Sequence, residues 1–146
     1  VGGAMGSVQL PKLKGFVENR RKSAKIFLNG LSQYDSILSF QKETPKGFHS
    51  WFGFPIIVKP NSSFTAKELR EYLESNGIET RPIIAGNIAN QPAVKMYEHR
   101  VSGDLKHCSN IMNNGLAVAC HQSLSEDACN HIIQTFNSFL SSMTSK

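Results

Sequence analysis

The sequence predicts an α/β two-layer sandwich, in which a small, mainly antiparallel sheet is covered by helices. One observation is a helix with its own start and stop signals that lies between two short β segments. Another is a third β segment that is followed by an amphipathic helix near the C-terminal end. The chain has 146 residues, of which 40% are apolar, so it can bury one domain-sized core. No internal repeat interrupts the order of elements.

The first predicted element is one long or bent amphipathic helix over residues 4–34. Its apolar positions recur at steps of three and four residues. They are Val8, Leu10, Leu13, Phe16, Val17, Ala24, Phe27, Leu28 and Leu31. Pro11 and Gly15 are the expected positions of a kink. A helix of this length at a domain edge often connects two bodies, and an ordinary bundle helix is the alternative.

Residues 34–50 are predicted to form a connection with a short strand. The stretch SWFGFPIIV, residues 50–58, follows it, with apolar or small residues at successive positions on both faces. Such a pattern is typical of a buried strand. Pro55 has no backbone N–H, which favours an edge position or a bulge at that point.

The next unit is predicted from local signals. Thr65 and Glu68 form a capping box, and the pair Asn76-Gly77 supplies a left-handed stop. A short strand is expected over residues 78–84. This strand–helix–strand unit is the best defined part of the predicted fold.

Residues 85–114 are predicted to be irregular apart from one helix over residues 104–112. Its inward positions are expected to be Leu105, Cys108 and Ile111 or Met112. An irregular stretch of this length is unusual for a simple connector, so it indicates a function or a partner.

The C-terminal part is predicted to contain a strand over residues 115–121, GLAVACH, and a last helix capped by Ser125. Glu126 and Asp127 favour the positive end of that helix. The core face of the helix is predicted to comprise Ala128, Cys129, Ile132, Ile133, Phe136, Phe139 and Leu140.

The net charge of +5 has one local cluster, Arg20, Arg21 and Lys22. The cluster is typical of a solvated helix face, and weak attraction to phosphate-bearing partners is the alternative. No RNA-binding aromatic signature or zinc-finger spacing accompanies the charge, so no nucleic-acid partner is expected.

The cysteines and the hydropathy predict the compartment. Cys108, Cys120 and Cys129 form no CxxC pair, and an odd number argues against a disulfide framework. No apolar run has the length of a membrane span, and no secretory apolar region is present at the N-terminus. We therefore expect a cytoplasmic protein with reduced thiols and no membrane partner.

The sequence offers no catalytic constellation of its own. None of the five histidines pairs with another at metal spacing, and there is no GxSxG, P-loop or GxGxxG motif after a strand. No catalytic, cofactor-binding or metal-binding residue is therefore predicted. His121 is the exception among the histidines, because it ends a strand of small apolar residues. It is a ligand contact or a structurally satisfied histidine.

The segment GIETRPIIAGNIANQP, residues 77–92, concentrates polar side chains beside a short strand. Arg81 can make a bidentate contact with an anion, and an ion pair with Glu79 is the alternative. Gly86 and Asn87 could offer backbone N–H groups and a side-chain amide to a phosphate or a sugar hydroxyl.

Several of these stretches, taken in order, resemble one family. MGSVQLPKL with the basic helix that follows resembles the inter-domain helix of the DegT/StrS sugar aminotransferases. SWFGFPIIV, GIETRPIIAGNIANQP and GLAVACHQSLSEDACNHII resemble their C-terminal small domain, and TRPIIAGN with the following QP is the most specific part. The branch that is most similar makes deoxy- and amino-sugars for lipopolysaccharide.

The resemblance implies pyridoxal-phosphate enzymes of the aspartate aminotransferase fold that act on nucleotide-linked keto-sugars. Residues 1–34 would be the inter-domain linking helix and residues 35–146 the C-terminal small domain. The large domain, with the lysine or histidine that faces the cofactor, has no counterpart here. We therefore expect a fragment that binds no pyridoxal phosphate itself, from a parent that binds the cofactor and forms a homodimer.

The resemblance also implies a site and a reaction. Arg81, Asn87 and His121 would contact the nucleotide-sugar substrate, through its diphosphate and sugar hydroxyls. The parent would transfer an amino group to a 4-keto-6-deoxy sugar or remove its 3-hydroxyl. A non-catalytic α/β binding or interaction domain is the alternative, and an unrelated basic domain for phosphate-rich ligands is a third possibility.

An exposed apolar stripe is expected along the N-terminal helix if it has lost a docking partner. Its predicted members are Val8, Leu10, Leu13 and Val17.

Overall fold

A four-stranded antiparallel sheet organises the protein in the computed structural model, which describes residues 2–144. In chain order the strands are β1 (Leu38–Phe40), β2 (Gly53–Val58), β3 (Thr80–Arg81) and β4 (Gly115–Ala119). Their order in the sheet is β1-β2-β4-β3, and every neighbouring pair is antiparallel. The prediction of a small, mainly antiparallel sheet is therefore confirmed.

Six α-helices accompany the sheet within the described residues. They are α1 (Gly2–Gln9), α2 (Leu13–Leu31), α3 (Ala66–Ser75), α4 (Pro92–Lys95), α5 (Lys106–Asn114) and α6 (Glu126–Thr144). The capping box at the start of α3 is formed as predicted, and Gly77 adopts φ 77° just after its end. The backbone N–H of Ala128 donates to Ser125 Oγ at 3.1 Å, which confirms the predicted cap of α6.

The two faces of the sheet carry side chains of very different size. One face is buried beneath α2, α3 and α6. Its central side chains are Phe54, Ile56, Val58, Leu116 and Val118, and the helices contribute Phe27, Leu31, Leu69, Leu73, Phe136 and Leu140. On the opposite face, Gly53 of β2 pairs with Ala119 of β4, and Pro55 pairs with Ala117. Ala117 also pairs with Arg81 of β3. This small-residue face is only partly covered.

The N-terminal helical region is interrupted at one of the two predicted kink positions. A 3₁₀ turn at Leu10–Lys12, which contains Pro11, separates α1 from α2, whereas Gly15 lies inside α2 without an interruption. The exposure predicted for Val8, Leu10 and Leu13 is confirmed. Val17 is half-buried, so the fourth member of the predicted stripe is only partly exposed.

Three local predictions are corrected by the structure. Pro55 lies in β2, which is a central strand and not an edge strand. The pairing of β1 with β2 ends at Ile56, so at Pro55 only β4 is paired with β2. The strand predicted for residues 78–84 is reduced to Thr80–Arg81. Cys108 is exposed rather than inward, because the half-buried face of α5 is formed by residues nearer its C-terminal end.

A membrane-crossing segment is not found among residues 2–144, because none of their helices is both long and apolar enough.

Gly30→Ala should destabilise the protein, whereas Gly15→Ala in the same helix should stabilise it. A Cβ on Gly30 would lie 2.6 Å from Ile133 Cδ1 and 3.0 Å from its Cγ2, so both ends of that side chain obstruct it. We expect a net loss of about 1–2 kcal/mol from overpacking. A Cβ on Gly15 has nothing within 4 Å, so a gain of about 0.5–1 kcal/mol in helix propensity remains. Urea unfolding checks both values. A stabilised Gly30→Ala variant would contradict the close packing of α2 on α6.

Candidate functional site

An open groove of about 700 Å³ lies on the small-residue face of the sheet. Gly53, Pro55, Ala117 and Ala119 form its floor, and they leave this space because none has a long side chain. Polar and large apolar side chains surround the floor. They include Gln41, His49, Phe52, Arg81, Ile84 and His121. A concave surface of this kind, with a few converging polar groups, is the usual form of a ligand site.

Arg81 reaches the groove from β3, where its backbone pairs with Ala117. Its guanidinium forms the ion pair with Glu79 that the sequence offered as an alternative. The side chains of the two residues are 76% and 70% exposed, so the pair contributes little free energy. The guanidinium can therefore exchange this carboxylate for an anionic ligand at low cost.

His121 lies just beyond β4 and lines the same groove as Arg81. The backbone N–H of Ser123 donates to its Nδ1 at 3.2 Å. In the neutral ring the proton consequently lies on Nε2, which is a hydrogen-bond donor. The structure thus brings together two of the three residues that the sequence suggested for substrate contact.

Asn87 is placed differently, since it is buried and does not line the groove. Its side-chain nitrogen donates to Ser109 Oγ at 2.9 Å, and its side-chain oxygen accepts from the backbone N–H of Ala89 at 3.1 Å. These bonds hold the irregular segment against α5. The role of Asn87 in substrate contact stays a prediction, and its observed contacts are those of a residue that shapes the loop.

Backbone strain is found at two rims of the groove. Trp51 has φ 50° and Ile84 has φ 48°, a region that bulky and β-branched residues rarely adopt. Trp51 itself is buried, whereas the next residue, Phe52, is 87% exposed, and Ile84 is 89% exposed. Strained residues often cluster at functional sites, so both rims support the groove as the candidate site.

Sequence reasoning missed the role of Arg20. Its guanidinium donates to the carbonyl oxygens of Trp51 and Phe52, both at 3.4 Å, and to Gln122 Oε1 at 2.9 Å. The side chain therefore ties α2 to two separate rims of the groove, including the residue next to His121. The solvated face predicted for the basic cluster is wrong for this member. No local pattern could show it, because the partners lie about 30 and 100 positions away.

Arg21 makes a second anchor. Its two terminal nitrogens donate to both carboxylate oxygens of Glu43, at 2.5 and 3.0 Å, and one of them also donates to the carbonyl of His49 at 2.9 Å. The hydrogen bond from Arg21, followed by that from the His49 backbone N–H, lowers the pKa of Glu43 to about 2. Lys22 fits the solvated-face prediction better, since its ion pair with Glu126 is exposed on both sides.

Within residues 2–144, no group of three His, Cys, Asp or Glu side chains is placed to hold a metal ion.

Comparison with known proteins shows the family. The sequence matches the DegT/DnrJ/EryC1/StrS aminotransferase family over residues 1–137. The chain belongs to this family. The resemblance inferred from its motifs is confirmed.

Two relatives show how much of a family member this chain represents. GDP-4-keto-6-deoxy-D-mannose 3-dehydratase of Yersinia pseudotuberculosis is 42% identical over 130 residues, which cover 88% of this chain and 32% of the relative. Lipopolysaccharide biosynthesis protein RfbH of Salmonella typhimurium is 32% identical over 136 residues, which cover 93% of this chain and 31% of the relative. The chain thus spans about a third of the length of these relatives.

Solved structures agree with the fold. The E. coli GDP-4-keto-6-deoxy-D-mannose-3-dehydratase with bound hydrated PLP matches with a TM-score of 0.81 and 37% identity, over 91% of this chain and 34% of that one. The aminotransferase from Psychrobacter cryohalolentis matches with a TM-score of 0.86 at 16% identity, over 97% of this chain and 38% of that one, which shows the fold alone.

The groove itself does not fit pyridoxal phosphate as a covalently held cofactor. Covalent attachment of that cofactor to the protein needs a lysine amine for the Schiff base. No lysine is present among the described residues that line the groove. These side chains therefore offer no attachment point for the cofactor.

Glu43→Gln should remove a contribution to stability that depends on pH. The folded-state pKa of Glu43, about 2, is below the ordinary value of 4.5. The contribution is therefore fully present above about pH 4.5 and is lost as the pH falls towards 2. The urea midpoint of the variant should be lower than wild type at neutral pH, and the difference should shrink through the acid range.

Glu126→Gln is the matched control, because its ion pair with Lys22 involves the same helix but is exposed on both sides. It should change the urea midpoint less. A Glu43→Gln difference that stays constant down to pH 2 would contradict the contacts assigned to this carboxylate.

Proposed function

We propose that this chain forms the substrate-facing small domain of a pyridoxal-phosphate enzyme that removes the 3-hydroxyl from a GDP-linked 4-keto-6-deoxy sugar. The product would enter lipopolysaccharide sugar synthesis. The observation that carries the proposal is the open groove with Arg81 and His121, in a chain 42% identical to a 3-dehydratase for such a sugar. A relative described as a lipopolysaccharide biosynthesis protein supports the pathway.

Dehydration is favoured over amino transfer by the relatives. The dehydratases of Yersinia and E. coli O55:H7 are 42% and 40% identical to this chain, whereas the aminotransferase TlmJ from Streptoalloteichus hindustanus is 25% identical. Amino transfer on the same class of substrate is the second candidate, because the family includes both reactions. A non-catalytic binding domain is not favoured, since the relatives that match nearly the whole chain carry enzyme descriptions.

The domain roles are part of the proposal. Residues 1–34 would be the linking helix and residues 35–146 the small domain, with the cofactor held by a large domain outside this sequence. The exposed apolar side chains of Val8, Leu10 and Leu13 support a docking surface for that domain. The whole enzyme would act as a homodimer in the cytoplasm, where the free thiols of this chain would stay reduced.

The groove would hold and orient the nucleotide sugar. The guanidinium of Arg81 has the planar fork that suits a diphosphate, once the ligand displaces Glu79. The Nε2–H of His121 would donate to an oxygen of the sugar. The floor of glycine, proline and alanine lets a ligand approach the backbone closely. Pyridoxal phosphate, when bound in the whole enzyme, supplies the electron sink, while these side chains supply position.

A chimaeric enzyme tests the proposal directly. This chain replaces the matching segment of the Yersinia pseudotuberculosis relative, and the chimaera is assayed with pyridoxal phosphate, GDP-4-keto-6-deoxymannose and glutamate. Glutamate is included as the amino donor that supplies the two electrons needed to replace the hydroxyl by hydrogen, since a related dehydratase structure holds a PLP-glutamate adduct. We expect loss of the 3-hydroxyl from the sugar, detected by mass spectrometry. A chimaera that folds and shows the cofactor absorbance of the native relative, but leaves the nucleotide sugar unchanged, would contradict the proposal.

Arg81→Gln should raise the KM of the chimaera for the nucleotide sugar by about 10- to 100-fold, the value of a charge-assisted hydrogen bond. Arg81→Lys should have an intermediate effect, because it keeps the charge and loses the fork. Arg100→Gln is the matched control, since Arg100 is exposed and lies outside the groove. An equal KM for Arg81→Gln and Arg100→Gln would show that Arg81 does not contact the substrate.

A further inference from the structure

We propose that His49 is a further ligand-binding residue of the groove, and that the pair Arg21 and Glu43 is a latch that positions it. This inference rests on the proposed function and adds a residue that neither the motifs nor the family match assigns. The contacts that support it lie in the connection between β1 and β2.

The connection that carries His49 has little regular structure of its own. Residues 41–50 form neither a helix nor a strand, and one backbone hydrogen bond, from Gly47 N–H to Thr44 O at 2.9 Å, marks a turn. A segment without a hydrogen-bonded ladder depends on side-chain contacts for its position. The Arg21–Glu43 pair supplies such contacts.

The latch holds the backbone of His49. Glu43 accepts from the backbone N–H of His49 at 2.6 Å, while Arg21 donates to the carbonyl of the same residue at 2.9 Å. Both backbone groups of His49 are thus held by the two partners of one bidentate ion pair. The guanidinium also lies 4.2 Å from the ring centre of Phe48, so it makes a cation–π contact with the preceding residue.

The ring of His49 is oriented by Trp51. The backbone N–H of Trp51 donates to Nδ1 at 3.1 Å, and the two rings meet edge-to-face at 4.5 Å. In the neutral ring the proton therefore lies on Nε2. Nε2 of Gln41 lies 3.1 Å from that nitrogen, and both side chains line the groove. Because two N–H groups cannot pair, the Nε2–H form of His49 requires the Gln41 amide to turn its oxygen towards the ring.

The result is a polar pair on one rim of the groove that His121 and Arg81 also line. His49 and His121 share one arrangement, in which the backbone N–H two residues ahead occupies Nδ1 and leaves Nε2–H as the donor. The ligand chemistry that fits is a hydroxyl or phosphate oxygen of the nucleotide sugar, which accepts from Nε2–H. This ligand oxygen would displace the side-chain amide of Gln41 from His49 Nε2, and the released amide could then donate to the same ligand.

Kinetics of the chimaeric enzyme test the proposal. His49→Ala should raise the KM for the nucleotide sugar by about threefold to tenfold, as expected for one hydrogen bond, with a smaller change in kcat. Glu43→Gln should also raise KM, because it weakens the contacts that position His49. Glu126→Gln should leave KM unchanged, because it breaks an ion pair of the same helix that lies outside the groove.

A double-mutant cycle separates positioning from general stability. If Glu43 acts through His49, adding Glu43→Gln to His49→Ala should raise KM no further. The proposal would be overturned if Glu43→Gln raised KM by the same factor in the His49→Ala variant as in the wild type. It would also be overturned if neither single variant changed KM.

A binding measurement on this 146-residue chain does not require turnover. Nitrogen NMR of the histidine rings is recorded with and without GDP. We expect GDP to shift the His49 Nε2 signal in the wild type and to shift it less in Glu43→Gln. Shifts at His121 without any at His49 would contradict the proposal. Shifts at His49, in a chain whose chimaera folds and shows the cofactor absorbance but is inactive, would refute the proposed reaction while supporting this site.

Discussion

The difference in side-chain size between the two faces of one small sheet is the constraint on which the rest of the structure depends. Strand residues alternate between faces, so Phe54 and Ile56 enter the core while Gly53 and Pro55 lie on the other side. A shift of one residue in the pairing of β2 with β4 would reverse this division. The helices have large side chains to cover on one face, and the other face keeps space for a ligand.

The helix α2 connects the core to the groove. Its C-terminal half buries Phe27 and Leu31, while Arg20 and Arg21 near its middle reach the loops around the groove. The rims that carry His49 and His121 are therefore held by one helix. In the proposed enzyme this helix also leads to the cofactor-binding domain, so the position of that domain and the shape of the groove would be linked through these two arginines.

Much of the fold could be predicted from the sequence because its signals are local. The capping box at Thr65, the stop at Gly77 and the apolar face of α6 depend on neighbours within a few residues, and all are present. The site was predictable only in part. Asn87 is hydrogen-bonded to Ser109, 22 residues away, and Arg20 is hydrogen-bonded to Gln122, 102 residues away. Neither contact leaves a periodic pattern in the sequence. Local spacing likewise could not show that β3 would end before the strained residue Ile84.

In the proposed enzyme, the small-residue face of this sheet receives the nucleotide sugar. A crystal structure of the chimaeric enzyme with its nucleotide sugar is the most direct test. We expect the ligand to lie against Gly53 and Ala117, with Arg81 on its diphosphate and Nε2 of His121 within hydrogen-bond distance of an oxygen. A ligand bound elsewhere, with this face covered by protein, would show that the groove is not the substrate site.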